Sequence, residues 1–326
     1  MTTAIKFEHV KKSFADKLVI NDLNLEIKQG ELFVLVGNSG SGKTTSIKMI
    51  NRLEDPTAGQ VLVNEQPTTS YDLQKLRWNI GYVLQQIALF PNMTVAQNIS
   101  LIPEIKGECR RKDKKQQKKT EQLLTEVGLD PKSYSSRYPS ELSGGEQQRI
   151  GILRAIASQP PIVLMDEPFS ALDPLSRTNL QDLVVDLHEN LHNTIVFVTH
   201  DMSEALKIAD RIGIMKDGEL LQVGEPNEIL RHPANQFVQD FFRGSLGKDI
   251  YETPVRQAIL FNQLAEDYGQ ESDQLPTISA DEKLAKVLSL LCNAEKVAVQ
   301  DHDGKFIGLI DRQWIIKYLN GINDFS

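Results

Sequence analysis

A chain of 326 residues with 40% hydrophobic and 25% charged residues has the composition of a globular protein and the length of about two domains. Its net charge of −8 argues against a nucleic-acid partner, which would ask for a basic balance. The two cysteines, Cys109 and Cys292, lie far apart with no CxxC or metal-ligand spacing, so they read as free thiols of a reducing cytosol.

In chain order, the N-terminal MTTAIKFEHV carries Lys6 and Glu8 among its apolar residues and does not read as a signal peptide. No apolar run approaches the ~20 residues of a spanning helix, so work at a membrane would need another chain to hold this one there. Ile5 and Phe7, then Leu23, Leu25 and Ile27, alternate strictly and predict an antiparallel strand pair. Leu32 to Val36, Ile80 to Leu84, Ile162 to Met165 and Thr194 to Val198 are short runs apolar on both faces, as strands of a covered parallel sheet are. Longer amphipathic segments separate them, and the alternation from Ala4 to about Val223 predicts an α/β fold.

Between Ile87 and Leu142 the strand signal disappears, and Val95 to Ile102 and Thr120 to Val127 read as helices. Within this insert Arg110 to Lys119 holds seven basic residues, read as a solvated helix face, with contact to anionic lipid as the sharper alternative. Phe241 to Lys248 turns Gly- and Ser-containing and marks a boundary. Beyond it the pattern gives a strand at Ile278, a helix at Glu282 to Cys292, a strand at Lys296 to Gln300, a turn at Asp301 to Gly304, a strand at Phe306 to Ile310 and a helix at Trp314 to Leu319. Asp303-Gly304-Lys305 between two apolar runs is a hairpin signal. No complete internal repeat is present.

Gly37-Asn38-Ser39-Gly40-Ser41-Gly42-Lys43-Thr44 fits GxxxxGK[ST] between a buried strand and a helix. Glycines let the backbone wrap a phosphate chain so that several N–H groups point inward, and the helix N-terminus adds partial positive charge. Lys43 supplies a full charge for the β- and γ-phosphates, and the Thr44 hydroxyl can ligate Mg²⁺. A second element needs an acid at a strand end. Ile162 to Glu167 supplies two: Asp166, placed to hold Mg²⁺ directly or through water, and Glu167, placed to polarise an attacking water.

Leu142-Ser143-Gly144-Gly145-Glu146-Gln147-Gln148-Arg149 precedes a helical pattern at Ile150 to Ala157. Ser143 with Glu146 three residues on is a capping box. An ordinary cap accounts for the Ser and the Glu but not for two consecutive glycines at a helix N-terminus, which suit an anion.

With these motifs in this order, residues 4 to 240 resemble the ABC transporter ATPase family. The resemblance implies a RecA-like core with an antiparallel β subdomain and a helical subdomain, ATP and Mg²⁺ as ligands, and a homodimer with two shared ATP sites. Phe14 in KKSF matches the aromatic that stacks on adenine. Gln85 in GYVLQQ matches the glutamine that contacts Mg²⁺ or water and senses the membrane partner. Ser170-Ala171-Leu172-Asp173 matches the loop that crosses to the other subunit, and His200 in VFVTHD matches the switch histidine near the γ-phosphate. The implied nucleotide site comprises Phe14, Gly37, Asn38, Ser39, Gly40, Ser41, Gly42, Lys43, Thr44, Thr45, Gln85 and Asp166, with Ser143, Gly144, Gly145, Glu146 and Asp173 reaching in from the partner subunit. Lys43, Glu167 and His200 would carry the chemistry, and Thr44, Gln85 and Asp166 the Mg²⁺. The implied division is an ATPase domain over 1–242, with its helical insert at about 87–158, and a linker plus a small α+β domain over 243–326.

The tail EKVAVQDHDGKFIGLIDRQWIIKYL resembles one CBS module, and no full second copy appears between Asp249 and Gln274. After Gly308-Leu309-Ile310 that family often has Thr or Ser, then an Asp three positions on, to hold a ribose. This chain has Asp311 and Trp314 there, which leaves open whether the tail takes a nucleotide or answers to ionic strength or lipid. An ABC ATPase with such a tail, together with IGYVLQQIALFPNMTVAQNI, is similar to the ATPases of osmoprotectant importers for glycine betaine, carnitine, choline or proline betaine. That implies a peripheral position on the cytoplasmic face of the cell membrane, beside permease subunits and an external binding protein. The alternatives are the ATPase of an importer for another solute, such as an amino acid, and a soluble non-transport ABC ATPase.

Overall fold

Runs that are apolar at every position need cover on both faces; Leu32–Gly37, Ile162–Asp166 and Thr194–Thr199 lie inside a sheet, whereas Ile80–Val83, read the same way, is its edge strand. The computed structural model describes residues 2–15, 17–109, 113–170, 172–246, 253–261, 264 and 275–323. Ala171, the Arg110–Lys112 end of the basic run and most of the segment from Lys248 to Gln274 lie outside the described residues.

The first of two compact units, Met1–Glu225, opens with β1 (Thr3–Phe14), β2 (Lys17–Lys28), β3 (Leu32–Gly37), α1 (Lys43–Ile50), β4 (Ala58–Val63), β5 (Gln66–Pro67), α2 (Leu73–Trp78) and β6 (Ile80–Val83). A helical stretch follows: α3 (Val95–Ile105), α4 (Lys114–Glu126), α5 (Pro131–Tyr134) and α6 (Gly144–Ile156). It closes with β7 (Ile162–Asp166), α7 (Pro174–Leu191), β8 (Thr194–Thr199), α8 (Met202–Ile208), β9 (Arg211–Lys216) and β10 (Glu219–Gly224).

Six strands form one sheet in the order β10-β9-β3-β8-β7-β6. All neighbours are parallel except β10, which returns antiparallel on β9. β3, β7 and β8 are buried at every position. A second, antiparallel sheet runs β2-β1-β4-β5, with Ile5 opposite Ile27 and Phe7 opposite Leu25. Ile5, Phe7, Leu25 and Ile27 share one core with Phe33, Leu35, Val196 and Val198, so the alternating face of one sheet covers one face of the other.

The helical stretch is longer than its periodicity suggested. Asp113 caps α4 through the Lys115 N–H, which lets the helix start six residues before Thr120 in a segment with almost no apolar residues. α3 starts at a complete capping box of Thr94 and Gln97. Its Asn98 is fully buried and binds Phe90 N and O, Met93 O and Thr94 O. Four bonds from one side chain pin the loop that follows Gln85.

The second unit, Pro226–Ser326, contains α9 (Pro226–Arg231), α10 (Gln236–Leu246), α11 (Val255–Phe261), β11 (Thr277–Ser279), α12 (Leu284–Leu291), β12 (Lys296–Gln300), β13 (Phe306–Asp311) and α13 (Arg312–Asn323). β11 pairs parallel with β12, and β12 antiparallel with β13. Their core includes Val255, Ile278, Val287, Val297, Val299, Ile310, Trp314 and Tyr318. The compact units divide between Glu225 and Pro226. α9 packs against α11 and so groups with the tail. Asp311 and Trp314 serve this unit's structure: the Trp314 N–H donates to Asp311 Oδ1 at 2.6 Å, capping α13, and the Trp314 ring stacks on Tyr318 with centroids 5.6 Å apart. Among the described residues no helix is long and apolar enough to cross a membrane.

Candidate functional site

In a parallel sheet the loops after the strands gather at the carboxyl edge. Here β3, β6, β7 and β8 deliver Gly37–Lys43, Gln85, Asp166–Glu167 and His200 to that edge.

Gly37 ends β3 where a Cβ would stand 2.1 Å from the Met215 carbonyl oxygen of β9, so only glycine fits. Gly42, at φ 102°, precedes α1 and leaves it without a side-chain cap. In contrast, α2, α3, α6, α7 and α8 are capped by Asp72, Thr94, Ser143, Asp173 and Asp201. Among the described residues, the N–H groups of Lys43, Thr44 and Thr45 therefore have no side-chain cap to accept them, the arrangement that binds phosphate. Asn38, Ser39 and Gly40 are exposed, and Thr44 and Thr45 half-buried on the first turn of α1. The Ser41 hydroxyl is buried and has no hydrogen-bond partner among the described residues. Lys43 is buried, and its ammonium donates to Gly37 O at 2.7 Å and Asn38 O at 3.0 Å, leaving a third donor. Burial pulls its pKa down, against the charges of Glu167 and Asp166.

Asp166 ends β7. Its Oδ1 accepts the Thr44 hydroxyl at 2.8 Å and its Oδ2 the Tyr82 hydroxyl at 3.5 Å. Burial pushes its pKa up, and the Thr44 bond opposes the shift. A carboxylate bonded to a hydroxyl is a hard oxygen donor pair of the kind that suits a small divalent cation, and the Gln85 amide is placed by its contact to Glu167.

Glu167 sits in the left-handed region, at φ 43°, with its N–H bonded to Val198 O at 2.9 Å. A non-glycine residue held there marks a site whose surroundings fix it. The turn aims Glu167 Oε2 at His200 Nδ1, 3.1 Å away, and at Gln85 Nε2, 3.5 Å away. Residues from three strand ends thus meet on one carboxylate oxygen, beside the Lys43 loop.

Ser143, Gly144, Gly145 and Glu146 form the start of α6. The Glu146 N–H donates to Ser143 Oγ at 3.3 Å, and Glu146 Oε2 accepts the Ser143 N–H at 2.7 Å. The Tyr134 hydroxyl donates to Glu146 Oε1 at 2.5 Å and holds the carboxyl below the usual range. Ser143 Oγ only accepts in this box, so its proton remains to be donated outward. Asp173 caps α7 through the Ser176 N–H at 3.0 Å. A Cβ on Gly145 would lie 3.4 Å from Ser176 Oγ, so the α6 and α7 starts are neighbours. Among the described residues no hydrogen bond or ion pair joins Ser143–Glu146 to the Lys43 group. Phe14 lies at the β1–β2 turn, opposite Lys17 and 43% exposed. The Lys12 ammonium stands 4.6 Å from its ring centroid.

Tyr82 is the residue of this site that the sequence did not single out. Its one sequence sign is a phenol within a buried strand, which needs a polar partner.

Residues 20–170 match the family described as "ABC transporter". The chain is 44% identical over 315 residues to the glycine betaine/carnitine/choline transport ATP-binding protein OpuCA of Bacillus subtilis, covering 95% of this chain and 79% of that one. It is 40% identical over 318 residues to the osmoprotectant import ATP-binding protein OsmV of Salmonella typhimurium, with the same 95% and 79% coverage. Among solved structures, a dimeric post-hydrolysis state of an ATP-binding cassette bound to ADP and Pi superposes with a TM-score of 0.61 at 33% identity, covering 68% of this chain and 98% of that one.

Proposed function

The chain belongs to the ABC transporter ATPase family, and from that membership we propose that it energises import of a quaternary amine osmoprotectant. In this reading it hydrolyses ATP as a homodimer, peripherally bound to permease subunits on the cytoplasmic face, while an external binding protein captures the solute. The observation that carries the ATPase role is the meeting of Gln85 and His200 on one Glu167 carboxylate oxygen, at the sheet edge that also holds Lys43, Thr44 and Asp166. The names of the two relatives, betaine, carnitine and choline transport and osmoprotectant import, support the solute class.

The chemistry follows from the donors. The first-turn N–H groups of α1 and the Lys43 ammonium take the phosphates, and Phe14 offers a ring face to the base. Bound Mg²⁺ would neutralise charge on the phosphates, and Thr44, Asp166 and Gln85 are the residues that would hold it. Glu167 orients the attacking water and receives its proton as the water oxygen bonds to the γ-phosphorus and the bond to ADP breaks. His200 and Gln85 hold that carboxylate from two sides. Ser143 and the N–H groups of Gly144 and Gly145 close over the phosphates of the partner subunit, with Asp173 beside them. The tail unit acts as the regulatory part.

Glu167→Gln keeps the shape and loses the base. It is expected to bind ATP, accumulate as an ATP-bound dimer and turn over ~10²–10⁴-fold more slowly; unchanged hydrolysis would remove Glu167 from its role. With a matched permease and binding protein in vesicles, ATP-driven uptake of betaine, carnitine or choline is expected. Uptake of an amino acid with no betaine uptake would overturn the solute class and leave the ATPase reading intact.

A further inference from the structure

One guanidinium joins the two loops that flank the site. Arg177 lies one turn into α7. Its N–H donates to Asp173 O at 2.9 Å, and its Nη2 donates to Leu172 O at 3.3 Å. The other edge of the fork faces α8. Nη1 is 3.7 Å from Asp201 Oδ2, and Nε is 3.7 Å from Glu204 Oε1.

Those two acids hold the segment that carries His200. Asp201 caps α8, accepting the Ser203 N–H at 2.8 Å. Glu204 is only 5% exposed, and its second oxygen accepts the Thr199 hydroxyl at 2.6 Å. Thr199 Oγ1 in turn accepts the Asp201 N–H at 3.0 Å. The residues on both sides of His200 are thereby fixed, and these backbone-side ties lead to Arg177, while its ring is held separately by Glu167.

A buried carboxylate is costly unless paired. Burial pushes the Glu204 pKa up, while the Thr199 bond and the Arg177 charge pull it back. The ion-pair distances exceed the 2.7–3.2 Å of a formed N–H···O bond, and Arg177 Nε is buried without a hydrogen bond among the described residues. The fork therefore has room to tighten when the Leu172–Asp173 loop moves. Only a planar guanidinium reaches a carbonyl and two carboxylates at once.

We infer that Arg177 is a positioning residue that couples the Leu172–Asp173 loop to His200. Seating Asp173 against the partner subunit then sets the geometry of His200 at Glu167, and one site reads the assembly state of the dimer through this fork. The inference rests on the roles proposed above for His200 and Asp173.

The test compares ATP turnover, ATP affinity and melting temperature for the full chain and three variants: His200→Ala, Arg177→Met, and Arg177→Met combined with Glu204→Gln. Arg177→Met is expected to bind ATP within about twofold of wild type and to lose about tenfold or more in kcat, a split that a misplaced catalytic group gives and a general loss of fold does not. The double variant removes the stranded buried charge, so it is expected to fold as well as wild type and still turn over slowly, because the tie to Leu172 and Asp201 is gone. Wild-type kcat in Arg177→Met with a slow His200→Ala would sink the coupling and spare the role of His200. Wild-type kcat in His200→Ala would sink both. Full recovery of rate in the double variant would reduce Arg177 to charge balance, and loss of ATP affinity or fold in both Arg177 variants would reduce it to structure. Either result overturns the inference.

Discussion

At the scale of single residues, the site ranks its own contacts. Thr44 binds Asp166 at 2.8 Å, whereas Tyr82 reaches the same carboxylate at 3.5 Å, the outer limit of a useful bond. A hydrogen bond to a buried carboxylate is worth about 1.5–3 kcal/mol. Thr44→Val keeps the shape and removes the donor. It is therefore expected to lower the melting temperature of the nucleotide-free chain by roughly 3–12 °C, using ~2–4 °C per kcal/mol for a domain of this size. It should also raise the Mg²⁺ concentration needed for ATP turnover. Tyr82→Phe is expected to leave turnover within about threefold of wild type, since it deletes the weaker bond. Parallel melts and Mg²⁺ titrations check the order; a larger loss in Tyr82→Phe than in Thr44→Val would reverse it. Neither bond was legible in the sequence. Tyr82 and Asp166 are distant in the chain and meet only because β6 and β7 are adjacent in the sheet.

At the scale of elements, what the sequence made legible follows burial. β3, β7 and β8 are covered on both faces, so their apolar runs stand out without any periodicity. α4 is the opposite case: it buries only Thr120, Leu123 and Leu124, so its first turns leave no apolar trace. The phosphate loop was legible because glycines are required where backbone closes on backbone, as at Gly37 against Met215. The Arg177 fork was not, because it is built from ordinary polar residues on two helices. The start of α6 was legible in full, and it carries a pH signature. Glu146 is held below its usual pKa by the Tyr134 hydroxyl first and by the Ser143 N–H after it. A carboxyl lowered in this way stabilises the fold fully above its unfolded pKa of ~4.3, and the contribution is lost as pH falls through the folded value. Glu146→Ala, which deletes half of the capping box, is expected to cost about 1 kcal/mol at pH 7. The difference from wild type should shrink steadily below about pH 4. Melting temperatures from pH 7 to pH 3 check this, and a gap that stays constant would rule out the lowered carboxyl.

At the scale of the whole molecule, the ATP site proposed above is divided between two separate groups of one chain. Lys43, Thr44, Asp166 and Glu167 form one group and Ser143 to Glu146 form another, without a hydrogen bond or ion pair between the groups among the described residues. If the halves complete each other only across a two-fold axis, defects in different halves must complement. Lys43→Ala empties the phosphate loop of its full charge. Gly144→Asp puts a negative charge at the start of α6, at a position where an added Cβ meets no atom within 4 Å, so the chain itself should fold normally. Each variant alone is expected to be inactive, because every site in its homodimer carries one defect. Mixed in equal amounts, half the dimers are heterodimers. In each of these one site collects both defects and the other collects none, so roughly a quarter of the wild-type rate should return if the sites act independently. A site complete within one chain predicts no recovery, since each chain then carries its own defect into any dimer. Recovery that is measurable but well below a quarter, with heterodimers demonstrated by exchange of labelled chains, would mean that a defective site slows its intact neighbour, which is the behaviour expected if Arg177 transmits the seating of Asp173 to His200.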